Sequence, residues 1–165
     1  MIKLAKEIER KFRVHDREVE SLKLDNYPYK LVNQKYIMLT DNEELRLRMT
    51  KDYEDNVEYI LTIKKGRGEV RDEISIEINK EQAHALYRLD DHPPLIKKRY
   101  EIPYEGKIIE LDVFYELWLN VAEIEFKSKE EMDYFNYPDW FGKPTYLKNR
   151  DIYEDIWEYE RRYRR

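Results

Sequence analysis

Glu7-Ile8-Glu9-Arg10-Lys11 sets two carboxylates and an ammonium at alternate positions. In a strand all three share one face, because strand side chains alternate with period 2. They then span roughly 13 Å at about 3.3 Å per residue. Carboxylates at that spacing suit a hard divalent cation, and a lysine beside them suits a phosphate. The same five residues also read as a charged helix, since Glu, Arg and Lys are good helix formers and Glu7 and Lys11 make an i,i+4 pair. The pattern's return in segment after segment favours the strand.

Arg46-x-Arg48, Thr62-x-Lys64, Arg71-x-Glu73, Lys97-x-Arg99, Glu110-x-Asp112 and Glu123-x-Glu125 repeat that spacing. Five of these segments carry apolar residues at the alternate positions: Leu45, Leu47 and Met49; Tyr59, Leu61 and Ile63; Ile74, Ile76 and Ile78; Ile109, Leu111 and Val113; Ala122, Ile124 and Phe126. The expected strands begin with residues 6–14 and Gln34–Leu39 and number about eight in all. Hairpin turns fall at Gly66-Arg67-Gly68 and Glu105-Gly106, with a less regular connection at 115–120. Helices are expected after Asp16 as N-cap, after the capping box Asn79/Gln82, after Ser128/Glu131, and over 151–163 with Ile152, Ile156 and Tyr159 or Tyr163 inward. Residues 137–149 read as loop.

The 165 residues suit one domain, 1–165, with a sizeable core. Charged residues make up 41% of the chain, yet 31 basic and 36 acidic side chains nearly cancel at −5, so no basic field for nucleic acid arises. With no cysteine, disulfides, thiolate zinc sites and cysteine nucleophiles are excluded. No apolar run is long enough for a membrane span, and the expected location is the cytoplasm.

The helices' apolar stripes must cover the sheet's apolar face. The opposite face then carries Glu7, Glu9, Glu73, Glu77, Glu110, Asp112, Glu123 and Glu125 against Lys11, Arg46, Arg48, Lys64, Arg71, Lys97 and Arg99. An antiparallel sheet with one wet face also fits simple alternation. Closure of so many strands abolishes their edges and encloses these charges. Each isolated buried charge costs several kcal/mol, so an enclosed set calls for a charged guest. Arginine and lysine suit a polyphosphate, and the carboxylates suit Mg2+ or Mn2+.

In their order along residues 7–125, these pairs resemble the CYTH family of triphosphate tunnel metalloenzymes. The resemblance implies an α+β fold: an eight-stranded antiparallel closed barrel with a charged interior and helices outside. It implies binding of a triphosphate with divalent metal, and hydrolysis of a terminal phosphate. A class IV-like adenylate cyclase and a non-catalytic polyphosphate or nucleotide binder are the alternatives. Carried onto this chain, Glu7, Glu9, Glu73, Asp112, Glu123 and Glu125 are candidate metal ligands. Lys11, Arg46, Arg48, Lys64, Arg71, Lys97 and Arg99 are candidate phosphate contacts. Lys97 is the candidate base or water-positioning group, since cations around a lysine push it toward the neutral form, and Lys11 is assigned beside it. Ser75 stands where relatives carry a second acid, and Pro144-Thr145-Tyr146 with Asn149 is a loose match to their last segment.

Other readings stay open at this stage. Glu110 and Asp112 suit ion pairs with Arg48 or Arg99 as well as they suit metal, and Arg71 and Glu73 suit a mutual cross-strand bridge. Glu77 reads as solvated, Tyr36 as packing, and His15, His84 and His92 as surface residues. Arg161 to Arg165 reads as a cationic helix end. The expected partner is a small-molecule triphosphate; nucleic acid and membrane are not expected, and a homodimer is left open.

Overall fold

The alternating segments form strands that hydrogen-bond into a closed ring. The computed structural model describes residues 2–40, 42–142, 146–147 and 149–163. In chain order the elements are β1 (Ile2–Arg13), α1 (Asp16–Ser21), β2 (Tyr29–Leu39), β3 (Glu43–Lys51), β4 (Val57–Lys65), β5 (Val70–Glu77), α2 (Lys80–Leu89), β6 (Leu95–Tyr104), β7 (Lys107–Phe114), β8 (Leu119–Glu125), α3 (Lys129–Tyr134), β9 (Tyr146–Leu147) and α4 (Asn149–Tyr163). The ring runs β5-β4-β3-β2-β6-β7-β8-β1, and β1 closes it by pairing with β5 over Ile2–Ile8. Neighbours are antiparallel throughout. The two-residue β9 adds to β1 at Lys11 and Phe12.

Turn chemistry fixes the hairpins. Between β6 and β7, Glu105 and Gly106 both adopt positive φ (47° and 74°), the type I′ geometry that matches strand twist. In the β4–β5 turn, Gly66 and Gly68 take φ of 116° and 79°. The β7–β8 connection is a four-residue turn in which Trp118 takes φ 51° and lies exposed.

Apolar residues face outward on one half of the ring. Phe12, Ile102, Ile109, Leu111, Ala122, Ile124 and Phe126 form a core with Met132 and Phe141, packed under α1, α3 and a short 3-10 turn at Asp139–Phe141. A second cluster seats Ile156 and Tyr159 of α4 on Tyr36, Leu95, Phe114, Leu119 and Val121 at one end of the barrel.

Several expectations shift. β1 begins at Ile2 rather than residue 6. The N-cap of α1 is His15, and Asp16 instead accepts from Asn120 Nδ2 at 2.6 Å, so a tertiary bond took the capping carboxylate. The Asn79/Gln82 box forms in both directions, whereas at α3 Ser128 accepts from Glu131 N and the Glu131 side chain reaches Lys127 N. Residues 137–149 hold the 3-10 turn and β9, with Phe141 in the core, because aromatic packing rather than periodicity orders them. The expectations on Pro144, Thr145, Arg164 and Arg165, and on the side chains of Tyr146, Asn149, Ile152 and Tyr163, lie outside the described residues.

Phe12 is fully buried, with its ring 4.6 Å from Tyr137 and 4.8 Å from Phe141. Replacing it with alanine is expected to cost about 3–5 kcal/mol in a urea unfolding titration. A loss below about 1 kcal/mol would show that this cluster does not bind the helices to the barrel.

Candidate active site in a charged tunnel

Inward side chains of all eight barrel strands enclose a cavity of about 300 Å³. Register brings the acids together. Glu9 on β1 lies directly opposite Glu125 on β8, and Glu7 stands two residues along β1. One carboxylate oxygen from each of Glu7, Glu9 and Glu125 lies within 4.8 Å of the others. Three hard oxygen donors at that separation fit Mg2+, Mn2+ or Ca2+ rather than a soft metal.

Two lysines sit among these acids. Lys64 Nζ donates to both Glu7 oxygens at 2.8 Å and lies 3.4 Å from Glu73 and 3.9 Å from Glu9. Lys11 Nζ lies 2.7 Å from Glu9 and 3.9 Å from Glu123. Burial and the neighbouring Glu9 nevertheless push the Glu7 carboxyl up to about 7. Burial and the nearby Glu9 and Glu73 also raise Glu125. Burial opposes the charge on Glu123 as well, but Lys11 and Arg99 overcome it and hold that carboxyl low.

A second centre is built on Asp112, which has no exposed surface. Arg99 donates to it through Nε at 2.7 Å and Nη2 at 2.8 Å, and Lys97 Nζ donates to it at 2.6 Å. Arg99 also reaches Glu110 at 2.5 Å and Glu123 at 3.2 Å. Burial, with Arg99 and Arg48 nearby, pushes Lys97 down to about 7 despite Asp112. The direction expected from the sequence therefore holds, but desolvation is the first cause and the cations the second.

Across the cavity stand Arg46 and Arg48 on β3. Arg46 Nη1 pairs with Glu44 at 3.1 Å. Arg48 makes no ion pair among the described residues, and burial with Arg46 and Arg99 pushes it down to about 10. The Nε groups of both arginines are buried without a hydrogen-bond partner. Buried donors are rarely left so, and both arginine side chains line the cavity.

The barrel therefore gathers Glu7, Glu9, Lys11, Arg46, Arg48, Lys64, Glu73, Lys97, Arg99, Glu110, Glu123 and Glu125 on one cavity. Asp112 and Arg71 are buried behind the lining. Asp112 is engaged by Lys97 and Arg99 and stands apart from the acidic triplet, so its geometry is that of an anchor for cations rather than a metal ligand. Arg71 and Glu73 do not bridge each other: Arg71 lies 3.5 Å from Glu44, and Glu73 belongs to Lys64 and Ser75. Ser75 Oγ donates to Glu73 at 2.8 Å, so the residue at the departing position orients the acid beside it. Glu77 is exposed. His92 is no plain surface residue, since its Nδ1 lies 2.7 Å from Asp90.

The sequence reading passed over Glu44, which is buried between Arg46 and Arg71. Its parity with Arg46 and Arg48 was the available signal. Ile60, Phe114 and Val121 also line the cavity, so the inner face is not ionic throughout.

Fold and site together define a class: a closed antiparallel barrel around a tunnel of opposed carboxylates and cations. The CYTH domain model matches residues 5–140, and the chain belongs to that family. An inorganic triphosphatase of Nitrosomonas europaea is 34% identical over 145 residues, 83% of this chain and 87% of that protein. The crystal structure of the inorganic triphosphatase NE1496 matches with a TM-score of 0.55 at 30% identity, covering 91% of each chain. The PH1819 protein of Pyrococcus horikoshii matches with a TM-score of 0.58 at 20% identity over 77% of this chain and 82% of that one, a likeness of fold alone.

A carboxyl raised to about 7 must lose its proton to bind a cation. Divalent-metal affinity is therefore expected to rise as pH increases from 6 to 8, with proton release at pH 6 in calorimetry across buffers of different ionisation enthalpy. Glu7→Gln should bind more weakly and lose that release. Equal proton release by the variant would remove Glu7 from the site.

Proposed function

We propose that this protein is a metal-dependent triphosphatase that removes the terminal phosphate of a linear triphosphate, either inorganic tripolyphosphate or an organic or nucleoside triphosphate. The observation that carries the reading is the pair Arg46 and Arg48, two arginines with buried, unpartnered Nε groups that line one cavity with the acidic triplet. The activity printed for the 34% identical relative supports it.

Arg46 and Arg48 would grip phosphate oxygens, where a planar fork fixes orientation better than a point charge. Lys11 and Lys64, held by carboxylates in the resting tunnel, would turn to the same chain of phosphates. Glu7, Glu9 and Glu125 would hold Mg2+ or Mn2+, with Glu73 and Glu123 beside them. A divalent ion there supplies charge neutralisation on phosphate oxygens and polarises them. Asp112 fixes Lys97 and Arg99. Lys97, at about 7, has a neutral fraction able to take a proton from water. The water oxygen bonds to the terminal phosphorus, and the bridging P–O bond breaks with its electron pair leaving on the diphosphate. No helix among the described residues is long and apolar enough to cross a membrane. The cytoplasm is kept as the proposed compartment, with which a cysteine-free chain is compatible.

A panel of tripolyphosphate, ATP, thiamine triphosphate and pyrophosphate with Mg2+ or Mn2+ tests the reading. Phosphate and diphosphate from tripolyphosphate are expected, with no release from pyrophosphate. Binding without turnover of any triphosphate would refute it, and cyclic AMP from ATP would make it a cyclase.

Two variants locate the roles. Arg48→Ala is expected to raise KM about 10- to 100-fold, the scale of a lost charge-assisted contact. At saturating metal, where Glu7 is already ionised, kcat/KM should rise with pH through about 7 as Lys97 loses its proton. Lys97→Arg keeps the charge but cannot deprotonate, so it should lose most of kcat and that rising limb. An unchanged profile in Lys97→Arg would assign the proton transfer elsewhere.

A further inference from the structure

We propose that the outer face of β1, β5 and β4 is the interface through which two copies of this chain form a dimer. Ile2 and Leu4 are large aliphatic side chains, yet they are 71% and 76% exposed. Strand register extends each into a row. Ile2 lies opposite Ile76, Ile76 opposite Leu61, and Leu61 opposite Leu47. Leu4 lies opposite Ile74, Ile74 opposite Ile63, and Ile63 opposite Leu45. Burial grows along the first row, from exposed Ile2 to Leu47, which is buried beside α2. The helical cores lie elsewhere on the barrel, and none of these rows belongs to them. A contiguous aliphatic face of this kind marks a contact surface.

The border of the face selects the occupant. The next row along the same strands is Lys6, Asp72, Lys65 and Glu43, again in direct register. Its charges alternate and sum to zero, with Lys6–Asp72 at 3.8 Å and Lys65–Glu43 at 3.1 Å. Such a row gives no field for a strongly acidic or basic partner, but it is complementary to itself. Under a two-fold axis a cation of one copy meets an anion of the other, as an isologous interface requires. Three rows about 6.6 Å apart on β1, β5 and β4, strands about 4.8 Å apart, cover roughly 300 Å² in projection. That is smaller than the roughly 800 Å² each partner gives to a standard interface, so the dimer expected is a concentration-dependent one. Two such faces stack as sheets do, about 10 Å apart with their aliphatic rows interdigitated.

The experiment is sedimentation velocity of the full chain from about 1 to 100 µM, with circular dichroism and tripolyphosphate hydrolysis as controls for folding. The wild type is expected to approach twice the chain mass as concentration rises. Leu4→Glu should sediment as a monomer with hydrolysis per chain retained, since the position is outside the tunnel. Asp72→Lys, at a site 70% exposed, leaves the aliphatic rows intact but makes the border repel itself. Its dissociation constant should rise at least about tenfold in low salt and recover in high salt. A monomeric wild type at 100 µM would overturn the proposal. So would a dimer that survives both substitutions, since that dimer would use another face.

Discussion

Charge enclosed away from water is the constraint that shapes this protein. Seven acids and seven bases line the cavity, and each would cost several kcal/mol if buried alone. Their opposition offsets that cost: Lys64 lies against Glu7, Lys11 against Glu9, Arg99 and Lys97 against Asp112. A lining that is balanced on its own does not attract a bare polyanion without cost. It accepts a guest that is balanced too, a phosphate chain carrying its divalent cations. Each carboxylate given up by a lysine can pass to a cation, and each lysine released can pass to a phosphate oxygen.

The balance is not uniform along the tunnel, and the unevenness is what turns a stable lining into a site. Asp112 serves two cations through three hydrogen bonds, which holds Lys97 and Arg99 in place. Arg48 has no carboxylate of its own among the described residues, and burial with Arg46 and Arg99 pushes its guanidinium down to about 10. The triplet has the reverse problem, with Glu7 and Glu125 both pushed toward the protonated state. Excess cation on β3 and excess anion on β1 and β8 therefore face each other, an arrangement relieved from both sides when phosphate and metal enter together.

Much of this was legible in the sequence because period 2 is a strict rule. Once Glu7, Glu9 and Lys11 share a strand face, a one-residue slip would send them all outward among aliphatics, so parity alone fixes who looks inward. Closure was what the family resemblance implied, since alternation alone also fits an open sheet with one wet face. What parity does not encode is partner choice. That Arg99 rather than Arg48 takes Asp112, that Arg71 turns to Glu44, and that Ser75 supports Glu73 all depend on strand stagger. The 3-10 turn at Asp139–Phe141 escaped because aromatic contacts hold it, without periodicity. The capping carboxylate of Asp16 was diverted by Asn120, which lies far along the chain.

The most direct test of the balanced tunnel is a crystal soaked with Mn2+ and a non-hydrolysable imidotriphosphate, read by anomalous scattering. The account predicts a manganese peak among the carboxylates of Glu7, Glu9 and Glu125, with phosphate oxygens on Arg46 and Arg48 and the Lys64 ammonium moved off Glu7. Manganese and phosphate bound only on the outer surface, with the Lys64–Glu7 pair intact, would contradict it.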